Sequence, residues 1–249
     1  MLSFRVSPLE LASVGLLVLF VGGLLWTSTN RRRRPHARTS TRLVGAVVSL
    51  VLLAGIAEDV THHGPLTYVD AAVEARIHGH VSPLQIRAFE VVSWLGSLPL
   101  MIALLLCVAA FLGWKRNWLE MATWITLIAG TLGLSVALKI MVPRPRPPGF
   151  LAMIPNDSFA SGHAMIALAG YGMLVHLLNR SHSGDGAGPG ITAAWIILVV
   201  VIGLSRLCLG DHYASDILAG YAAGGLCLSA AVTGLSISSR RRDGKMLKR

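Results

Sequence analysis

Charge is scarce in this 249-residue chain: Asp, Glu, Lys and Arg together make up 14% of it, against 53% hydrophobic residues. With a mean hydropathy of +0.63, that excludes an ordinary soluble domain and points to a protein that crosses a membrane several times. Cysteine is scarce too. Cys107, Cys208 and Cys227 lie in apolar stretches without CxxC spacing, which excludes a disulfide framework and a thiolate metal site. Acidic residues are few: 12 Asp and Glu against 22 Lys and Arg leave a formal net charge of +10. In a soluble chain that excess suggests a nucleic-acid partner. Here the basic runs Arg31–Arg34, Lys115-Arg116 and Arg240–Arg242 each flank an apolar segment, the pattern of cytoplasmic membrane flanks, so no nucleic acid is expected.

What is abundant is long apolar sequence. A spanning helix needs about 20 largely apolar residues. Seven windows qualify, at 9–29, 42–58, 91–113, 119–141, 162–179, 191–209 and 213–236. The first lacks an Ala-x-Ala cleavage site and is followed by four arginines, so it reads as a retained span rather than a signal peptide. If the 31–42 loop is cytoplasmic, alternation puts the other basic segments on the same side. The segments 59–90, 142–161 and the joint at Gly210 then share the outer face, where the unusual polar groups collect. Within 59–90, Asp70 to Ile77 is expected to form a short interfacial helix closed by Pro83. The fold expected is all-α, a polytopic helix bundle. Residues 1–41 supply an N-terminal span and basic loop, 42–236 a six-helix core, and 237–249 a basic tail.

Three stretches carry chemistry. In the first, Lys139 near a helix end is followed by Arg144 and Arg146 between prolines, which stiffen the backbone and hold several positive charges around one phosphate. Equally, Lys139 can snorkel to the interface while the arginines touch headgroups. In the second, Ser161 caps a helix, Gly162 lets an anion approach free N–H groups there, and His163 is placed to protonate a leaving oxygen. An ordinary Ser/Gly cap beside a bystander histidine fits that stretch as well. In the third, Arg206 offers a bidentate clamp, and His212 and Asp216 stand four apart, sharing a face if a helix starts near Asp211. A carboxylate there fixes the imidazole tautomer and leaves the other nitrogen free to attack phosphorus. Asp216 can instead be the partner of a buried arginine.

Taken together, Lys139 followed by six residues and Arg146-Pro147, then Ser161-Gly162-His163, then Ser205-Arg206 with His212 and Asp216, resemble the signature of the type 2 phosphatidic acid phosphatase superfamily. The resemblance spans about 42–236 and leaves the 9–29 span as an addition. Two family prolines are replaced, by Ala160 and Ala214, with no chemical group lost. The resemblance implies that His212 forms a phosphohistidine, Asp216 orients it, and His163 is general acid and then base. Lys139, Arg146, Arg206, Ser161 and the Gly162 backbone would hold the phosphoryl oxygens. It selects Arg146 over Arg144, so Arg146→Ala should cost far more activity than Arg144→Ala. Asp211 precedes the nucleophile and would repel phosphate, so it is expected to point away.

No cofactor and no metal are expected. Three cations and a helix N-terminus can neutralise a transferring phosphoryl group; His78 and His80 do not share a helical face, so the outer-loop histidines His62, His63, His78 and His80 read as part of the site's rim rather than as a metal site. The expected partners are the bilayer and a membrane lipid: phosphatidic acid, phosphatidylglycerol phosphate, undecaprenyl diphosphate or a lipid A phosphate. The expected place is a bacterial inner membrane with the site facing the periplasm. Two alternatives stay open: a phosphotransferase with a polyprenyl diphosphate donor, and a transporter using Lys139 and Arg206 as pathway charges. A soluble haloperoxidase of related motif chemistry does not suit so apolar a chain.

Overall fold

The computed structural model describes residues 35–78, 80–148, 157–181 and 189–246. Among them all regular structure is helical, with no strand: α1 (Pro35–Thr61), α2 (Pro65–His78), α3 (Pro83–Trp94), α4 (Leu98–Trp114), α5 (Trp118–Met141), α6 (Gly162–Ile166), α7 (Gly172–Ser181), α8 (Pro189–Cys208) and α9 (Ala214–Met246). A π-helical turn, Ala167–Tyr171, joins α6 to α7. Among the described residues five helical stretches are long and apolar enough to cross a membrane: Ser40–Thr61, Pro83–Trp114 (α3 and α4 together), Trp118–Met141, Gly190–Cys208 and Ala214–Arg240. The 162–179 window is helical but broken into three short pieces, and the 9–29 window lies outside the described residues. Leu106, Phe111, Trp114, Ile140 and Ile197 are exposed on these helices, which suits side chains that face lipid.

Local sequence explains where helices begin. Pro83 does not close the interfacial helix; it opens α3. The Gln85 N–H donates to Ser82 Oγ (3.4 Å), and the Ser82 N–H donates to Gln85 Oε1 (2.9 Å), a capping box with proline in the first turn. Reading apolarity alone placed this span's start at 91, because the first turns of α3 are polar. The preceding helix, α2, starts at Pro65, and Asp59 Oδ1 accepts from the Leu66 N–H (3.0 Å). Asp59, in the last turn of α1, therefore serves as a cap for the interfacial helix.

The longest packing seam runs between α9 and α1, and α9 also packs on α5 and α6. Leu52, Leu53 and Ile56 of α1, Leu138 of α5, Met165 of α6 and Ala219, Ala222 and Ala223 of α9 form one buried cluster beneath the site. Two glycines set the approach of α6 to α9. A Cβ at Gly220 would lie 2.6 Å from the Ser161 carbonyl oxygen, and one at Gly224 would lie 2.5 Å from that of Met165. Only hydrogen fits there, so the small-xxx-small spacing brings the two backbones together. The Ser161 N–H then donates to the Asp216 carbonyl (2.9 Å), tying the second chemical stretch to the third.

Candidate active site

The first stretch leaves α5 and runs extended through its prolines. Lys139, in the last turn of α5, donates from Nζ to the Asp157 carbonyl (2.5 Å). The Ser158 N–H donates to the Arg144 carbonyl (2.8 Å), which lays the segment before the second stretch alongside the first. Arg146 Nη1 donates to the Asp211 carbonyl (2.6 Å), joining first stretch to third.

The third stretch is shaped by two helix ends. At the C-terminus of α8, Gly210 takes φ 71°, its N–H donates to the Leu207 carbonyl (3.0 Å), and the Asp211 N–H donates to the Arg206 carbonyl (3.0 Å). This is the Schellman pattern, which needs a residue tolerant of positive φ. It folds Asp211 back over Arg206, so the expectation that Asp211 points away is overturned: its carboxylate is buried and ion-paired with Arg206 Nη2. The second guanidinium nitrogen, Arg206 Nη1, donates to Ser93 Oγ (2.6 Å) from α3. Burial pushes the Asp211 carboxyl up from its ordinary pKa, against the pull of Arg206 and Arg146.

At the start of α9 the helix begins at Ala214 rather than near Asp211, so His212 sits in the bend before it. Asp216, the third residue of α9, accepts the Tyr213 N–H at Oδ2 (3.0 Å), which anchors the carboxylate at the helix N-terminus. The same Oδ2 lies 3.7 Å from His212 Nδ1, close but longer than a hydrogen bond. Its other oxygen, Oδ1, accepts from Arg144 Nη1 (2.7 Å). The two sequence readings of Asp216, as histidine orienter and as partner of a buried arginine, both describe it.

Arg144 is the largest departure from expectation. Rather than a lesser competitor of Arg146, it is buried, stacked 4.0 Å from the Tyr213 ring centre, and bonded to Asp216, to Ser215 Oγ (2.8 Å) and to Asp70 Oδ2 (2.8 Å). Asp70, Ser93 and Ser215 were not singled out in the sequence. The only available signal was an acidic residue on an interfacial helix.

His163 lies where the charges of Arg206, His212, Arg146 and Lys139 all act on it, and its ring packs beside Gly96. The predicted residues Lys139, Arg146, Ser161, Gly162, His163, Arg206, His212 and Asp216 thus come to one end of the bundle. Three of their buried polar atoms, Ser161 Oγ, Arg206 Nε and His212 Nδ1, have no hydrogen-bond partner among the described residues. Burial lowers the His212 pKa to about 4, although Asp216 opposes the shift, so its imidazole is neutral at pH 7. Of the loop histidines, His80 has its Nδ1 2.9 Å from the Arg76 carbonyl on α2, and the side chain of His78 is outside what is described.

Residues 122–238 match the PAP2 superfamily. The chain is also similar in fold to the first transmembrane PAP2-type phosphatidylglycerolphosphate phosphatase from Bacillus subtilis, with a TM-score of 0.68 at 22% identity over 79% of this chain and 96% of that one. LpxE from Aquifex aeolicus aligns with a TM-score of 0.51 at 23% identity over 65% of this chain and 93% of that one. No protein with a curated description matches the sequence. With five membrane-length helices and this fold, the chain is an integral membrane protein.

Proposed function

We propose, from the match of residues 122–238 to the PAP2 superfamily, that this chain is a phosphatase of that superfamily and hydrolyses a lipid phosphomonoester or diphosphate through a phosphohistidine on His212, without a metal. The observation that carries the reading is the convergence on a buried, neutral His212 of an acid–base histidine, anion-binding cations and unpartnered donors drawn from three distant stretches.

In the first step the Nε2 lone pair of His212 attacks phosphorus while the bond from phosphorus to the lipid oxygen breaks. Nδ1 keeps its proton because Asp216 Oδ2 stands on that side, and the 3.7 Å gap can tighten when substrate binds. His163 gives a proton to the departing oxygen, and a bound phosphate dianion favours the imidazolium needed for that. In the second step His163 takes a proton from water, which attacks the phosphohistidine, and the phosphorus–nitrogen bond breaks to release phosphate. Lys139, Arg146 and Arg206, with Ser161 Oγ and the Gly162 N–H, stabilise charge on the equatorial oxygens, the chief demand of phosphoryl transfer. Those cations stand where other phosphoryl-transfer enzymes use magnesium.

The substrates that suit this site are lipid phosphates presented at the membrane surface: phosphatidic acid, phosphatidylglycerol phosphate and undecaprenyl diphosphate. The basic flanks support an orientation with the site on the outer face of a bacterial inner membrane. The test is phosphate release from these three lipids by the purified protein in detergent with EDTA, beside His212→Ala. Release that survives EDTA and disappears in the variant is expected. Release abolished by EDTA, or retained by His212→Ala, would overturn the mechanism. Transfer to a lipid acceptor with none to water would turn the reading to a phosphotransferase.

A further inference from the structure

Asp70 lies on α2, outside all three chemical stretches, yet its side chain is only 2% exposed. A buried carboxylate is unfavourable by several kcal/mol unless it is paired and hydrogen-bonded. Here every bond it accepts comes from the two elements that set the His212–Asp216 pair. Oδ1 accepts the Ser215 N–H (2.9 Å), in the first turn of the helix that carries Asp216. Oδ2 accepts Arg144 Nη2 (2.8 Å) and the Ser215 hydroxyl.

Arg144 passes this constraint on. Its Nη2 is held by Asp70, so its Nη1 is aimed at Asp216 Oδ1 (2.7 Å), and the Tyr213 ring backs the guanidinium. With Oδ1 fixed, Oδ2 is the oxygen turned toward His212 Nδ1. A fork with two occupied ends on two carboxylates leaves little rotational freedom to any of the three side chains. If Asp70 only stapled α2 to the bundle, one contact with the Ser215 backbone would suffice, and Arg144 would not be shared with Asp216.

We propose that Asp70 is a positioning residue for the nucleophile: through Arg144 it sets which oxygen of Asp216 faces His212, and so couples the interfacial helix to the chemical step. This rests on the reading of His212 as nucleophile. Asp70→Asn keeps the shape but removes the charge that balances Arg144, which then draws on Asp216 alone and pulls it from His212. Removing such an outer partner typically lowers activity by about 10–100-fold.

The test is kcat and KM for Asp70→Asn, Asp216→Asn and the double variant, with the His212 tautomer read from ¹⁵N-histidine NMR in micelles. Asp70→Asn is expected to lower kcat by about 10–100-fold with KM within about threefold, and to lose the single Nδ1–H tautomer. The double variant should be no worse than Asp216→Asn. Ser215→Ala, which removes the hydroxyl between Asp70 and Arg144 but neither charge, should shift both readouts the same way by less, and decides the matter if Asp70→Asn does not fold. Unchanged kcat and tautomer in folded Asp70→Asn or Ser215→Ala, or full additivity with Asp216→Asn, would overturn the proposal. A wild type without phosphatase activity whose His212 tautomer still depends on Asp70 would sink the phosphatase reading and leave the positioning role standing.

Discussion

Arg144 and Arg146 are two residues apart, but Arg144 is bonded to two buried carboxylates while Arg146 reaches a backbone carbonyl, so on the proposed mechanism their loss has different effects. Arg144→Ala leaves Asp70 and Asp216, 2% and 0% exposed, as two carboxylates sharing one buried network with no cation between them. Removing one partner from a buried ion pair destabilises by about 3–5 kcal/mol. For a chain of this size each kcal/mol moves Tm by about 2–4 °C, so a loss of roughly 6–20 °C follows. Arg146 is half-buried, and its bond to the Asp211 carbonyl can be replaced by water. Arg146→Ala should therefore leave Tm within a few degrees and lower kcat by about 10²–10³-fold, the loss typical of removing one group that stabilises transition-state charge. The assay is thermal unfolding of each purified variant in one detergent, with kcat per folded protein on a short-chain lipid phosphate. Contrary to the sequence expectation that Arg146→Ala costs far more activity, activity alone does not separate the two, since Arg144→Ala also releases Asp216; stability does. An Arg144→Ala protein as stable as wild type, or an Arg146→Ala protein with normal kcat, would refute the reasoning.

Three further outcomes follow from the same geometry. Asp211→Asn frees Arg206 from its internal ion pair, so inhibition by vanadate or inorganic phosphate should tighten by about tenfold or more; an unchanged or weaker Ki contradicts the competition. Burial keeps His212 neutral until its pKa of about 4, so an NMR titration of its ring in micelles should show one charge gained as pH falls through that value; a midpoint at or above 6.5 contradicts this. Gly220→Ala drives a methyl into the Ser161 carbonyl and should lower both Tm and kcat, whereas Gly234→Ala, with nothing within 4 Å, should be neutral or stabilising.

The all-α fold was legible because spanning helices announce themselves by apolar length: α5 runs Trp118–Met141 against a window of 119–141. Starts were less legible where a polar first turn precedes the apolar run, as in α3, whose capping box at Ser82 sits nine residues before the apolar window opens. The proposed site residues could be picked out because they come in short motifs of fixed spacing, and the fold brings those motifs to one end of the bundle. What surrounds them could not. Asp70 meets Ser215 across 145 residues, and Arg206 meets Ser93 across 113, and no local pattern encodes a contact formed only when α2 or α3 docks on α8 and α9. Asp211 was misjudged for a local reason: Gly210 was read as a break between helices, whereas its positive φ builds a Schellman cap that turns the next side chain back onto Arg206.

The central claim is a covalent intermediate on His212, and the most direct test is rapid quenching of the enzyme during turnover of a ³²P-labelled lipid phosphate, followed by mapping of the label. Acid-labile, base-stable label on the peptide carrying His212, absent in His212→Ala, is the result predicted. Full turnover with no label trapped on any histidine, or label on His163 instead, would contradict it.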